Sequence, residues 1–427
     1  MRQPGLAPLL VLLAACGGSS SRQATPQPVA TNSGAFAVVA VGDRLKAYLP
    51  DSGPSADGRF RLLVVDAAGT RSGASGHLGT VDLGTDGRAS AVAASAGLVL
   101  AVGGADPYLW FIDPATDVVV KQLKLPDAYV SFILSDETAF MFGVAVDAAR
   151  RRAYVSVWSG FIVLDLDLLQ IVDEILVAPS ENFGFDPQRN LLVAPFYLCP
   201  APIAGAGTPP PCDAYRSPDG TLIAEGINLV DLGTLKVHTY VDAAAPFQDT
   251  PAGRVPDSAA VDPTGGRALI PLEGDYTTLL LDLDTAVLDD ATGTFTVPDK
   301  VTLTVPTVLT AVAVEPGSRL GIGMEEFGSV ITLYDLPSIA AGGVLTAATL
   351  PSLPWGVGEW SGHGDPHGLR AGVLDGRPVA WLLNFQRTWL ARVDLEKLGA
   401  LSRAHPGGVS SADMAQAVTY TFLYPAP

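Results

Sequence analysis

Five side chains in this sequence pair ligand-type chemistry with positions that could bring them together: Glu181, Asp257, His363, Asp365 and His367. Glu181 and Asp257 each stand five residues ahead of an acidic turn residue, Asp186 and Asp262, so they occupy equivalent points of a recurring unit. The stretch 359–367, EWSGHGDPH, carries two of the chain's five histidines. Carboxylates and imidazoles converging on one opening would suit a hard cation such as Ca²⁺, or a metal-bound water. The plainer expectation is a wet opening lined by solvated acids. His363 and His367 are four apart, but Gly364 and Pro366 lie between them and no glutamate follows His363, so the helical HExxH zinc arrangement is excluded. No GxSxG elbow and no CxxCH haem site occurs, and the pairs Gly103-Gly104 and Gly265-Gly266 lack the strand-to-helix setting that phosphate binding requires.

The elements that must position these residues are legible in the stretch 144–175, VAVDAARRRAYVSVWSGFIVLDLDLLQIVDEI. Short apolar runs broken at Asp147, Ser159-Gly160 and Asp165 read as four strands with tight turns and no room for a helix. One such sheet leaves an apolar face open to water and needs neighbours of its own kind. The chain supplies them. An apolar run ending in Asp recurs at Asp66, Asp113, Asp165, Asp231, Asp282, Asp335 and Asp394, at spacings of 47, 52, 66, 51, 53 and 59 residues. A second mark follows the first strand at Asp147, Asp186, Asp262, Glu315 and Asp375, where an acidic side chain can accept its own downstream N–H groups. Seven irregular repeats of this size predict an all-β, seven-bladed β-propeller of four-stranded antiparallel blades over residues 34–427, with a solenoid as the competing architecture. The run 417–424, AVTYTFLY, is expected to complete the seventh blade, the alternative being a blade shared between the two ends of the chain.

The segment 111–125, FIDPATDVVVKQLKL, resembles the YVTN-type propeller repeat, and 163–177 and 229–241 resemble it more loosely. Pro366-His367-Gly368 is similar to the Pro-His-Gly that opens the innermost strand in that superfamily, and Tyr154-Val155-Ser156-Val157 stands nearest to the tetrapeptide itself. The resemblance implies architecture. Its members range from adhesin-like and surface-layer proteins to lactonases and quinoprotein-like domains, and a fold alone does not choose among them.

Residues 1–15 read as a signal peptide, with Arg2 ahead of an apolar stretch about half the length of a membrane span. Leu13-Ala14-Ala15-Cys16 resembles the lipobox of bacterial lipoproteins, which implies cleavage before Cys16, a lipid on that cysteine and anchorage to a membrane. Gly17 in the next position points to the outer membrane in a Gram-negative cell, and to the cell surface otherwise. Residues 16–33 contain almost no large apolar group and are expected to act as a flexible tether. In an oxidising compartment Cys199 and Cys212 are expected to pair as a disulfide, stiffening the proline-rich segment between them into a projecting platform.

Acidic residues outnumber basic ones 44 to 26, giving a formal charge of −18 and removing the electrostatic attraction that nucleic-acid binding depends on. The sequence therefore points to a surface-anchored, non-enzymatic module that binds an envelope or extracellular protein or ligand, with no cofactor. A weakly held divalent cation is the exception allowed. The competing expectation is an exported metal-dependent hydrolase, lactonase-like, using Glu181, Asp257, His363, Asp365 and His367 at the channel mouth.

Overall fold

The structure is a computed structural model that describes residues 32–51, 55–69, 76–95, 97–103, 107–125, 143–157, 160–196, 225–240, 256, 258–325, 330–340, 346–349, 368–383 and 389–423. Its strands form seven sheets arranged as a seven-bladed propeller. The first strands of successive blades are Ala37–Val41, Ala89–Ser95, Val144–Asp147, Gly184–Asp186, Ala260–Asp262, Leu309–Glu315 and Leu369–Leu374. They surround the central channel, and each blade then steps outward through antiparallel neighbours. Among the described residues no helix is long and apolar enough to cross a membrane.

Packing explains why these strands read as unbroken apolar runs instead of alternating ones. In blade 3, Tyr154 of the strand Arg152–Val157 packs towards blade 4, while Ala153, Val155 and Val157 pack towards blade 2. Both faces of the sheet are buried, so both sets must be apolar. The core is accordingly seven clusters, one at each junction between blades. The last junction joins blade 7 to blade 1 through Trp381, Leu383 and Leu390 against Phe36, Leu45 and Leu63. Trp381 Nε1 donates to the Ala67 carbonyl there at 2.7 Å. Blade 7 is built wholly from the C-terminal part of the chain, with Val418–Phe422 as its outer strand. The ring thus closes by side-chain packing, without exchange of strands between the chain ends.

Polar contacts set the turns. All seven third strands end at the recurring aspartate, and in each blade its carboxylate accepts a backbone N–H two or three residues on, from Ala68, Ala115, Leu168, Gly233, Asp284, Ser338 and Lys397. Asp394 does this as the N-cap of the helix Leu395–Ala404, which fills the connection to the last outer strand. The acids after the first strands, Asp147, Asp186, Asp262 and Glu315, are buried and cap their own turns in the same way. Arginines then link the turns between blades. Arg319 Nε donates to Asp262 at 2.7 Å, Arg189 Nη1 donates to the Pro263 carbonyl at 2.8 Å, and Arg189 also pairs with Asp284. These bonds place the strand 1–2 turns on one face of the ring, called here the turn face. Every first strand runs towards it from the opposite loop face, where 126–142, 197–224, 241–255 and 350–367 leave the described strands.

Two features depart from the sequence expectation. Blade 4 has six strands, because a hairpin from the strand 3–4 connection of blade 5, Val287–Asp289 and Thr294–Thr296, adds to its outer edge. Asp290 in that hairpin holds His238 at 2.9 Å and also pairs with Lys236. The disulfide between Cys199 and Cys212 is the second: the bond is excluded, and both cysteines lie outside the described residues. Thirteen positions of separation permit a bridge but do not impose the short Cα separation one requires. Nor does the flanking hairpin depend on one. Its ladder runs in register from Leu191↔Asp231 to Phe196↔Gly226.

The capping aspartates make stability depend on acid. The Leu168 N–H holds the Asp165 carboxyl below its usual range, and the Ala115 N–H with the Thr116 hydroxyl does the same for Asp113. A carboxyl lowered in the folded state stabilises the fold above its unfolded value, and that contribution is lost as pH falls through the folded value. The urea midpoint is therefore expected to drop between about pH 5 and about pH 2, and the Asp113→Asn, Asp165→Asn double variant to show a shallower drop. Equal slopes for the two proteins would remove the caps as the cause.

Candidate functional site

A propeller's usual binding position is the channel where the first strands converge, and here the chain itself occupies it. Asn32 forms an antiparallel bridge with Gly184 of blade 4, and the Ser33 N–H donates to the Phe183 carbonyl at 2.8 Å. From the same residue, Asn32 Nδ2 donates to the Leu369 carbonyl of blade 7 at 3.1 Å. Blades 4 and 7 lie three steps apart in a ring of seven, so one asparagine spans the channel. Asn32 is 5 % exposed and Ser33 fully buried, although composition assigned both to the end of the tether.

Arg370, on the first strand of blade 7, ties this segment down. Its Nε donates to the Phe36 carbonyl at 2.7 Å, Nη1 to Asn32 at 2.5 Å, and Nη2 to Gly34 at 3.2 Å and Val92 of blade 2 at 3.1 Å. The guanidinium is 4 % exposed as part of its residue, and burying such a charge is costly unless its donors are met. A planar five-donor fork is the side chain able to meet carbonyls arriving from several directions at once. Beside it, Ala37, Val38, Ala93, Ala94, Ala371 and Trp381 line a cleft of about 20 Å³, room for a single water molecule and no larger ligand.

The loop-face mouth above the crossing is polar. Ser33 Oγ accepts the Phe183 N–H at 2.8 Å and donates to Asn182 Oδ1 at 3.4 Å, and the Ser180 N–H donates to Ser156 Oγ at 3.2 Å. Gly143 is required where the segment passes blade 3, since a Cβ there would lie 2.2 Å from Ser33 Oγ and 2.7 Å from the Glu181 carbonyl oxygen. Three further buried groups near this mouth, Asn182 Nδ2, Ser258 Oγ and Thr310 Oγ1, have no hydrogen-bond partner among the described residues. They come from blades 4, 5 and 6, at the starts of adjacent first strands.

Of the expected metal set, the structure places Glu181, half-buried at the start of blade 4. Asp257, His363, Asp365 and His367 lie outside the described residues, as does Cys16. Among the described residues no three His, Cys, Asp or Glu side chains group as metal ligands. Ser90 Oγ, at the start of the first strand of blade 2, donates to the Val102 carbonyl at 3.1 Å within its own blade, and Thr310 is fully buried. Sequence reasoning passed over Glu273, in the strand 2–3 turn of blade 5 on the loop face, where burial pushes its carboxyl above the usual glutamate range. No pattern in the sequence marks that position, because its shift comes from tertiary burial.

No protein-family model matches this chain, and no curated protein matches it in sequence. Solved structures share the fold at low identity. Kuenenia stuttgartiensis hydrazine synthase is 13 % identical with a TM-score of 0.48, over 75 % of this chain and 78 % of its own. Kluyveromyces lactis Hsv2 is 10 % identical with a TM-score of 0.46, over 82 % and 89 %. The dihydro-heme d1 dehydrogenase NirN, in complex with DHE, is 15 % identical with a TM-score of 0.42, over 70 % and 52 %. At such values the likeness is one of fold, and no activity passes to this chain.

Two substitutions test the crossing. Arg370→Lys leaves several buried carbonyls without a donor and is expected to destabilise by about 3 kcal/mol, against less than about 0.5 kcal/mol for the exposed Arg377→Lys, measured by urea unfolding. Thr310→Val keeps the shape and removes an unpartnered hydroxyl, so it is expected to stabilise by about 1 kcal/mol. A loss of stability from Thr310→Val would show that the hydroxyl is hydrogen-bonded in solution.

Proposed function

We propose that this chain is an exported lipoprotein, anchored through Cys16, whose propeller of YVTN type binds an envelope or extracellular protein or ligand on its loop face without catalysing a reaction. One observation carries this reading. Residues 32–36 cross the channel at its loop-face end, so a ligand is left the rim of that face, with its polar groups and the long segments that depart from it. The YVTN assignment is supported by 108–124, where Tyr108–Asp113 and Val118–Lys124 form the third and fourth strands that the repeat resemblance requires. Anchorage is supported by the lipobox resemblance at Leu13-Ala14-Ala15-Cys16, and Gly17 favours the outer membrane where the cell has one.

A second reading, a metal-dependent hydrolase, draws on the position of Glu181 and Glu273 on the loop face of adjacent blades. Glu181, Asp257, His363, Asp365 and His367 would hold the ion, with Glu273 on the same face. Stoichiometric metal in protein purified without chelator, together with turnover on a lactone panel that Glu273→Gln abolishes, would establish this reading in place of the first.

The binding reading makes its own demands. Cys16→Ser is expected to move the chain from the membrane to the soluble fraction, and intact mass to show acyl chains on the wild type alone. Replacing 197–224 by an Asn-Gly turn should leave thermal unfolding within a few degrees, because the ladder from Leu191↔Asp231 to Phe196↔Gly226 closes the hairpin itself. The same replacement is expected to abolish retention of the partner captured from solubilised envelope. Wild-type retention would place the binding surface elsewhere.

A further inference from the structure

Exposed apolar side chains gather on one side of the ring, along the outer edges of blades 1, 2 and 3. Leu78, Val120 and Val172 are 41 %, 55 % and 40 % exposed. Each is the extra residue of a β-bulge in the fourth strand of its blade, at the same place relative to the third strand. In blade 2, Ile112 pairs with Val119 and Phe111 with Lys121, which leaves Val120 over. In blade 3, Leu164 pairs with Ile171 and Val163 with Asp173, which leaves Val172 over. A bulge residue is released from the ladder, so the blade's own sheet does not require an apolar side chain there. The residue after the bulge differs from blade to blade: Gly79, Lys121 and Asp173. Asp113 and Asp165 are 52 residues apart, and so are Lys121 and Asp173. Blades 2 and 3 therefore display a valine followed by a charge at the same height on the ring, and the two charges are opposite.

The strands that carry them, Val118–Lys124 and Gln170–Leu176, end their sheets, so each turns one row of N–H and C=O groups away from its blade. Both are fourth strands and run from the turn face to the loop face. They flank one junction, where Leu123 and Ile171 pack on the same inter-blade core. An edge of this kind already takes a further strand in this molecule. The outer strand of blade 4, Lys236–Tyr240, pairs in parallel with Thr294–Thr296 from blade 5. Among the described residues Lys121 and Lys124 make no hydrogen bond or ion pair, and the Asp173 carboxylate accepts only the Glu174 N–H, at 2.9 Å.

We propose that a second copy of this chain docks on this edge, about a two-fold axis parallel to the axis of the ring and beside the junction of blades 2 and 3. Such an axis sets blade 2 of each copy against blade 3 of the other. Heights are kept, so Val120 meets Val172 and Lys121 meets Asp173, at two symmetric places. The facing strands also point the same way, which is the pairing that blade 4 shows. A two-fold perpendicular to the ring axis sets each blade against itself, lysine on lysine and aspartate on aspartate, and such contacts are repulsive. Charge thus selects between the two symmetries. Blade 1 has Gly79 where the charge would be and lies outside the contact. The pairing rests on neither functional reading given above. It turns both loop faces the same way, so a partner on that face meets two copies side by side.

The test uses the full chain carrying Cys16→Ser, so that no lipid intervenes, in sedimentation-velocity runs over a series of concentrations. This chain is expected to be a dimer. Lys121→Glu and Asp173→Lys, each added alone, place like charges opposite one another at both sites and are expected to weaken the dimer at least about tenfold. Mixed in equal amounts, the two variants are expected to associate as tightly as the unreversed chain, because each presents the charge that the other lacks. Both reversals in one chain are expected to restore the dimer in the same way. A chain that stays monomeric at about 100 μM overturns the proposal, as does a dimer that both single reversals leave unchanged. Failure of the mixture to pair, with both variants folded by circular dichroism, overturns the parallel two-fold.

Discussion

A ring of sheets packed face against face still has an unsatisfied inner edge, because each first strand turns one row of N–H and C=O groups towards the channel. Buried backbone groups of that kind must be paired. In this protein the chain's own segment 32–36 pairs with part of that edge, at Phe183, Gly184 and Val92, and Arg370 secures it by donating to carbonyls at Asn32, Gly34, Phe36 and Val92. The rest of the architecture depends on this arrangement. The contact joins blades 1, 2, 4 and 7 across the centre, where lateral packing alone joins only neighbours.

Around that centre the work is divided between apolar area and charge. Seven inter-blade cores supply the non-directional attraction, and both faces of each sheet contribute to it. Directional contacts then fix how neighbouring blades meet. Lys46 and Tyr48 of blade 1 close on Asp117 of blade 2, with Nζ at 2.7 Å and Oη at 2.5 Å, and Arg319 of blade 6 closes on Asp262 of blade 5. Burial and the adjacent Asp117 raise the Tyr48 phenol well above its ordinary value, so it remains a donor at any physiological pH. A chain with many more acids than bases uses several of its arginines in this way, at turns where carboxylates would otherwise be buried alone.

Both faces keep some buried polar groups without a partner among the described residues. On the turn face, buried acids are met by turn N–H groups and arginines, while Ser95 Oγ, Asn190 Oδ1 and Arg267 Nε are buried without a partner among the described residues. On the loop face, the mouth keeps buried hydroxyl and amide groups without protein partners among the described residues, and a glutamate whose carboxyl burial pushes above its usual range.

The sequence by itself determined what repeats locally. The seven aspartates ending the third strands, the acidic first turns and the apolar runs between them reflect interactions within a few residues, such as Asp165 capping Leu168, and each copy states them again. Blade number, strand order and the C-terminal seventh blade could be read from these signals. What joins distant parts of the chain left no such pattern. Arg370 and Asn32 are separated by 338 positions, and neither an arginine in an apolar strand nor an asparagine at the end of a polar tether announces the other. The hairpin of blade 5 that extends blade 4 was hidden for the same reason, since its partner strand belongs to another repeat. The spacing of Cys199 and Cys212 suggested a bond that is not formed, because proximity in sequence does not fix separation in space. Only the tertiary structure decided that the channel is crossed by residues 32–36, because that follows from pairing across the ring, which no local pattern encodes.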